Sequence, residues 1–137
     1  MKRLTVIISN GSFNNVVQAL TMVIAAAASN MIVRGLFRDE AVLKVTKAEA
    51  NCVNLSPGFA EQEPQVIERL HDAGLDDLDK LVREAKSVGD VRLWACSSSV
   101  AVAGVSEEDL IESLDGIRGL TTFLLKEIAE ADQVLTF

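Results

Sequence analysis

The sequence predicts a single α/β domain: a mostly parallel sheet of about four to five strands with helices on both faces. Three observations carry this reading. The chain has 137 residues, the length of one compact domain. Its β-branched runs are short and continuously apolar, as in strands buried on both faces, and they do not alternate as half-solvated strands do. Between these runs apolar residues recur at helical spacing, so that strand and helix take turns along the chain.

Leu4 to Ile8 opens the chain as a buried strand and ends in the polar turn Ser9-Asn10-Gly11-Ser12. From Asn14 to Ser29 the residues Val16, Leu20, Val23 and Ala27 form one helical stripe, widened by Val17 and Ile24. Met31 to Phe37 is the second strand, with Gly35 inside it marking a bulge or the close approach of another backbone. Strand, helix and strand over this length make a right-handed crossover unit. A short helix follows near Asp39 to Leu43, and residues from about 46 to 74 give no sustained pattern, an irregular excursion with a turn at Ser56-Pro57-Gly58. Asp76 or Asp77 then caps a helix carrying Leu78, Leu81, Val82 and Ala85, which ends near Gly89. Val91 to Ala95 is the next strand. Ser106-Glu107-Glu108-Asp109 has the form of a capping box, predicting a helix through Leu110, Ile111 and Leu114 that stops at Gly116. A last helix spans Leu120 to Ala131, with Leu120, Phe123, Leu124 and Ile128 on one stripe, and Gln133 to Phe137 forms a terminal strand.

Composition narrows the function. Thirteen Lys and Arg against twenty Asp and Glu give a formal net charge of −7, which argues against nucleic acid, whose binding needs a basic surface. Aromatic residues are 4% of the chain, with no Tyr, which also disfavours a base-stacking platform for single-stranded nucleic acid. The start imitates a secretory signal, but Ser9 to Ser12 cut its apolar run short. The long uncharged stretch between Arg3 and Arg34 is broken by Asn14, Asn15, Gln18, Thr21, Ser29 and Asn30, so no membrane span is expected and the sequence reads as cytoplasmic. Cys52 and Cys96 make no CxxC pair, and with a single His they cannot supply the four ligands of a zinc site, so no metal is expected. The pair reads as two reduced thiols.

In open parallel sheets, ligands bind beyond the carboxyl ends of the strands. Cys96 follows the strand Val91 to Ala95 directly, and Ser97, Ser98 and Ser99 can open a helix running to Ala103. A thiol there meets unpaired backbone N–H groups and the positive end of the helix dipole, which favour the thiolate and make Cys96 a candidate nucleophile. The alternative is that Cys96 merely fills space in the core. In the first loop the amides near Asn10 and Gly11 could cradle an anion, although Ser12 or Asn14 serving as a helix cap explains the segment as well. Cys52 and His71 read as an ordinary loop cysteine and a solvated histidine, and Arg118 as a surface charge or an anchor for an anionic substrate.

The ordered series Ala95-Cys96-Ser97-Ser98-Ser99, Gly104-Val105, Glu108-Asp109-Leu110-Ile111, Gly116, Gly119 to Leu124 and Val134-Leu135-Thr136-Phe137 resembles the DsrE/DsrF-like family, closest to its single-chain members labelled peroxiredoxins or sulfurtransferases. The resemblance implies a small α/β fold with a parallel sheet, homo-oligomeric assembly, and a cysteine that takes up sulfane sulfur as a persulfide, which falls on Cys96. The expected partners are sulfur donor and acceptor proteins or small sulfur compounds. Ser97, Ser98, Ser99, Asn10 and Gly11 are the expected anion-binding groups. Thiol exchange needs no cofactor. Two further functions compete: a thiol peroxidase, for which residues 91–95 lack the Thr or Pro constellation, and a non-enzymatic oligomeric binding module with a structural cysteine.

Overall fold

The computed structural model describes residues 1–137. Five parallel strands, β1 (Arg3–Ile8), β2 (Ile32–Phe37), β3 (Val91–Cys96), β4 (Ile117–Arg118) and β5 (Gln133–Thr136), lie in the order β4-β3-β2-β1-β5. The helices are α1 (Phe13–Ala28), α2 (Glu63–Asp72), α3 (Leu78–Val88), α4 (Ser97–Ala103) and the single turn α5 (Leu120–Phe123). No helix is long and apolar enough to cross a membrane.

The pleat sorts the strand residues onto two unequal faces. Leu4, Val6, Ile8, Val33, Phe37, Val91, Leu93 and Ala95 point to the first face, where α1 and α3 pack on them and most of the core lies. Leu36, Trp94 and Cys96 point to the second, where Phe123 of α5 completes a much smaller cluster. Helices therefore cover both faces, but the second is covered only by the segment from α5 to the π-helical turn Leu124–Ile128. Arg3, Arg34, Arg92 and Arg118 share this thinly covered face, since Thr5 pairs with Arg34, Arg34 with Arg92 and Cys96 with Arg118.

Gly35 is there for close approach, not for a bulge. A β-carbon at this position would lie 2.5 Å from Leu93 Cδ2, and Leu93 is itself fully buried, so the neighbour has nowhere to go. Gly35→Ala is expected to lower the unfolding free energy by about 1–3 kcal/mol, as overpacking does. An unchanged urea midpoint would show that Leu93 rearranges without cost.

Three sequence expectations need correction. The capping box at Ser106 forms, with Asp109 Oδ2 accepting from Ser106 N at 2.9 Å, but it starts only the 3₁₀ turn Glu107–Asp109. Beyond that turn Leu110 bridges Thr46 and the Ile111 amide donates to the Val45 carbonyl at 2.9 Å. Pairing with residues 45–47 buries Leu110, Ile111 and Leu114, so tertiary contact overrides the helix signal. The chain then enters β4, a strand too short for its pattern to register. The excursion at 46–74 contains the 3₁₀ segment Pro57–Gln62 and α2. None of the α2 residues is buried, which is why no core-facing stripe announces it. The last helix, expected to run from Leu120 to Ala131, gives way after Phe123 to the π turn, and both Leu120 and Leu124 are exposed. The cap of α3 is as expected: Asp77 Oδ1 accepts from the Lys80 amide at 3.3 Å.

Candidate functional site

β3 delivers Cys96 to the carboxyl edge of the sheet, where it is the N-cap residue of α4 with extended backbone angles, φ −69° and ψ 128°. The chain can turn into a helix at once because Ser97 to Ser99 are small and tolerate the first turn, where backbone N–H groups have no helical partner. The Cys96 Sγ lies 3.3 Å from Ser98 Oγ. Burial pushes the thiol up, but the Ser98 hydroxyl and the Ser99 amide, helped by the Ser99 hydroxyl and the Ser98 amide, overcome this and bring its pKa from 9.0 to about 7. These donors stabilise the thiolate more than the thiol.

Cys96 has no exposed surface, 0%. It packs with Leu36, Trp94 and Phe123, with Ile7 and Ile128 at the margin. Phe123 meets Trp94 edge to face, with ring centres 6.1 Å apart. A cleft of about 170 Å³ opens nearby between Asp39, Glu40, Leu43, Ser99, Val102 and Ala103, and Cys96 does not line it. The largest groove, about 830 Å³, runs past Thr21, Ile24, Lys80 and Arg83 and holds neither cysteine.

Of the residues expected to bind an anion, Gly11 and Ser99 reach the segment just after β2. Gly11 N donates to the carboxylate of Glu40 at 3.0 Å, and the neighbouring Asp39 amide donates to Ser99 Oγ at 2.8 Å. The first loop does grip an anion, and that anion is the chain's own Glu40. A β-carbon on Gly11 would come within 2.8 Å of the Glu40 carbonyl oxygen, so only glycine allows this closure. Asn10 is exposed, and its side-chain oxygen accepts from the Ser12 amide and hydroxyl. Ser97 and Ser98 are exposed.

Cys52 is exposed and donates its thiol to the Ala48 carbonyl at 3.3 Å. His71 is exposed, and the Asp76 carboxylate 2.7 Å from its Nδ1 raises its pKa. Neither approaches the small cluster around Cys96.

Sequence reading missed the group that organises the second face. Glu127 is buried, 8% exposed. Its Oε1 accepts from Arg118 Nη1 at 3.2 Å, while its Oε2 lies 3.8 Å from both Arg3 Nη2 and Arg34 Nε and has no hydrogen-bond partner. Arg118 also lies over the Trp94 ring, 4.1 Å from its centre, a cation–π contact that ties the ion pair to the cluster around Cys96. Arg118 is thus committed within the molecule. The available sequence signal was Arg3 and Arg34, at positions that share one pleat face of β1 and β2; Arg118 lies on a strand too short to announce itself.

The sequence model of the DsrE/DsrF-like family matches residues 2–137. The chain belongs to the DsrE/DsrF-like family. That family is associated with sulfur relay. Among solved structures, a protein of unknown function from Methanobacterium thermoautotrophicum is 14% identical to this DsrE/DsrF-like chain, with a TM-score of 0.66 over 98% of this chain and 99% of that one. At such identity the likeness concerns the fold alone. No curated protein matches the chain.

Proposed function

We propose that this protein is a sulfur carrier, with sulfurtransferase-like chemistry, that accepts sulfane sulfur on Cys96 as a persulfide and passes it to an acceptor thiol. The observation that carries the reading is a thiol held at a pKa of about 7 by the Ser98 and Ser99 donors at the start of α4, in a chain whose family is associated with sulfur relay. In the loading step the Cys96 thiolate attacks the outer sulfur of a donor persulfide, R–S–S⁻. The new S–S bond forms as the donor's own S–S bond breaks and the donor leaves as the thiolate R–S⁻. In unloading, an acceptor thiolate attacks the outer sulfur of Cys96–S–S⁻ and returns Cys96 as a thiolate. Electrons and atoms balance without metal or oxidant. The serine hydroxyls and amides hold the anion at each stage.

We further take the carrier to be cytoplasmic and homo-oligomeric. Exposed Leu124, Leu125 and Val134 beside the thinly covered sheet face support association.

The test is loading followed by intact mass. After incubation with a low-molecular-weight persulfide, the wild type and Cys52→Ser are expected to gain one sulfur atom, and Cys96→Ser none. An adduct that survives in Cys96→Ser, or no adduct in the wild type, refutes the reading. A second reading, a binding module with Cys96 as packing, is favoured by the burial of Cys96; it predicts no adduct in any variant.

A further inference from the structure

We propose that Gly119–Ile128 is a strap that lifts from the sheet to open Cys96 to reactants, and that Glu127 is its latch. The inference rests in part on reading Cys96 as the reactive thiol, but it concerns access and not sulfur chemistry.

The route to the sulfur is fixed by its surroundings. On one flank β3 is hydrogen-bonded to β2, on the other to β4, with Cys96 in register with Arg118. The first face of the sheet is filled by the main core. Leu36 and Trp94, which share the small cluster with Cys96, belong to central strands whose removal would unfold the sheet. The other cover, Phe123 and Ile128, comes from the strap. Of the cover over the second face, it alone can leave without breaking the ladder.

The strap is weakly anchored for its length. Only Phe123 and Glu127 are buried along it, whereas Leu120, Leu124 and Leu125 are 39%, 50% and 66% exposed. Its second half is a π turn, an uncommon geometry that concentrates at functional positions. Such a segment, with few buried apolar contacts, is the kind that opens locally below the free energy of global unfolding.

Besides Phe123, the contacts that hold it down are polar and incomplete. Thr5 Oγ1 donates to the Glu127 carbonyl at 3.0 Å, and Arg118 holds one carboxylate oxygen. The other oxygen is buried among Arg3 and Arg34 without a hydrogen bond. Closure removes that oxygen from water and gives it only charge attraction in return, so lifting the strap restores its hydration. Opposing this, the carboxylate is the shared counter-charge of three arginines. Deleting its charge leaves Arg118 without a carboxylate partner, and Arg3 and Arg34 with only their exposed partners Glu130 and Asp90, which weakens closure.

The test is the rate at which each cysteine of the full chain reacts with N-ethylmaleimide, resolved by peptide mapping, with exposed Cys52 as internal reference. In the wild type Cys96 is expected to react at least about a hundredfold more slowly than Cys52. Its rate should rise with urea along a slope much shallower than that of global unfolding, because a local opening exposes little surface. Glu127→Gln should speed labelling of Cys96 by about tenfold, the effect of losing charge-assisted contacts, and leave Cys52 unchanged. Glu130→Gln, which removes only an exposed partner of Arg3, should change neither rate. Three results would overturn the proposal: Cys96 reacting as fast as Cys52 in the wild type, a urea slope equal to that of global unfolding, or a folded Glu127→Gln with an unchanged Cys96 rate. The wild-type urea slope decides the matter even if Glu127→Gln fails to fold. Gated labelling without any persulfide adduct would refute the sulfur-carrier reading and leave the strap standing.

Discussion

Phe123→Ala is expected to lower the unfolding free energy by about 3 kcal/mol, near the lower end for truncating a buried phenylalanine. The ring is fully buried and is the largest side chain that the strap contributes to the sheet. Removing it deletes the edge-to-face contact with Trp94 and leaves a void bounded by Leu36, Trp94 and Cys96. No neighbouring strap residue can refill that void, because Leu124 and Leu125 point to solvent and Glu127 is held by Arg118. The loss stays below the upper end of the range because the strap can detach as a unit, which caps the cost at its own docking free energy. Urea denaturation of the two proteins measures the difference. A loss below about 1 kcal/mol would mean that the void collapses and that Phe123 contributes little to the cover.

That such a cover exists could not be read from the chain, although the elements that frame it could. β1, β2, β3 and β5 were legible because they carry apolar runs, and α1 and α3 because each presents a full stripe to the sheet. The position of Cys96 was legible too: a strand of five residues running into three serines fixes a helix start. Its burial was not, since burial depends on the strap, and the strap departs from the pattern expected of it. The stripe Leu120, Phe123, Leu124 and Ile128 predicts four inward residues, yet only Phe123 is fully buried once the π turn displaces the residues after it. Glu127 illustrates the deeper limit. A glutamate between Lys126 and Ile128 reads as solvated, and nothing local says that strands more than a hundred residues apart, through Arg3 and Arg118, will converge on it. The helix expected after Ser106 failed for a related reason. Its capping chemistry is correct, but a non-local partner at residues 45–47 claims the next backbone groups. At Gly11, where an anionic ligand was expected, the amide donates to the chain's own Glu40, a partner 29 residues away that no local pattern announces.

Ionisation of Cys96 should make the protein more stable as pH rises from 6 to 9, relative to Cys96→Ala. In the fold the thiol has a pKa of about 7, against 9.0 for the free side chain. A group whose folded pKa is depressed binds fewer protons in the native state than in the unfolded chain between those two values, so stability increases with pH across that window. Below pH 7 both states carry the neutral thiol and the contribution vanishes; above 9 both are ionised and it is complete. By pH 9 the difference reaches about 2 kcal/mol, somewhat less than the whole linkage sum because half of the unfolded thiols are still protonated there. Other groups with displaced pKa values, His71 raised by Asp76 and Asp90 lowered by Arg34, are present in both proteins and cancel in the comparison, as does the pH-independent void left by the alanine. Urea midpoints for the pair at pH 6, 7.5 and 9 measure the effect. Parallel curves across this range would mean that the serine donors do not hold a thiolate in the fold, and the nucleophile on which sulfur transfer depends would then lack its activation.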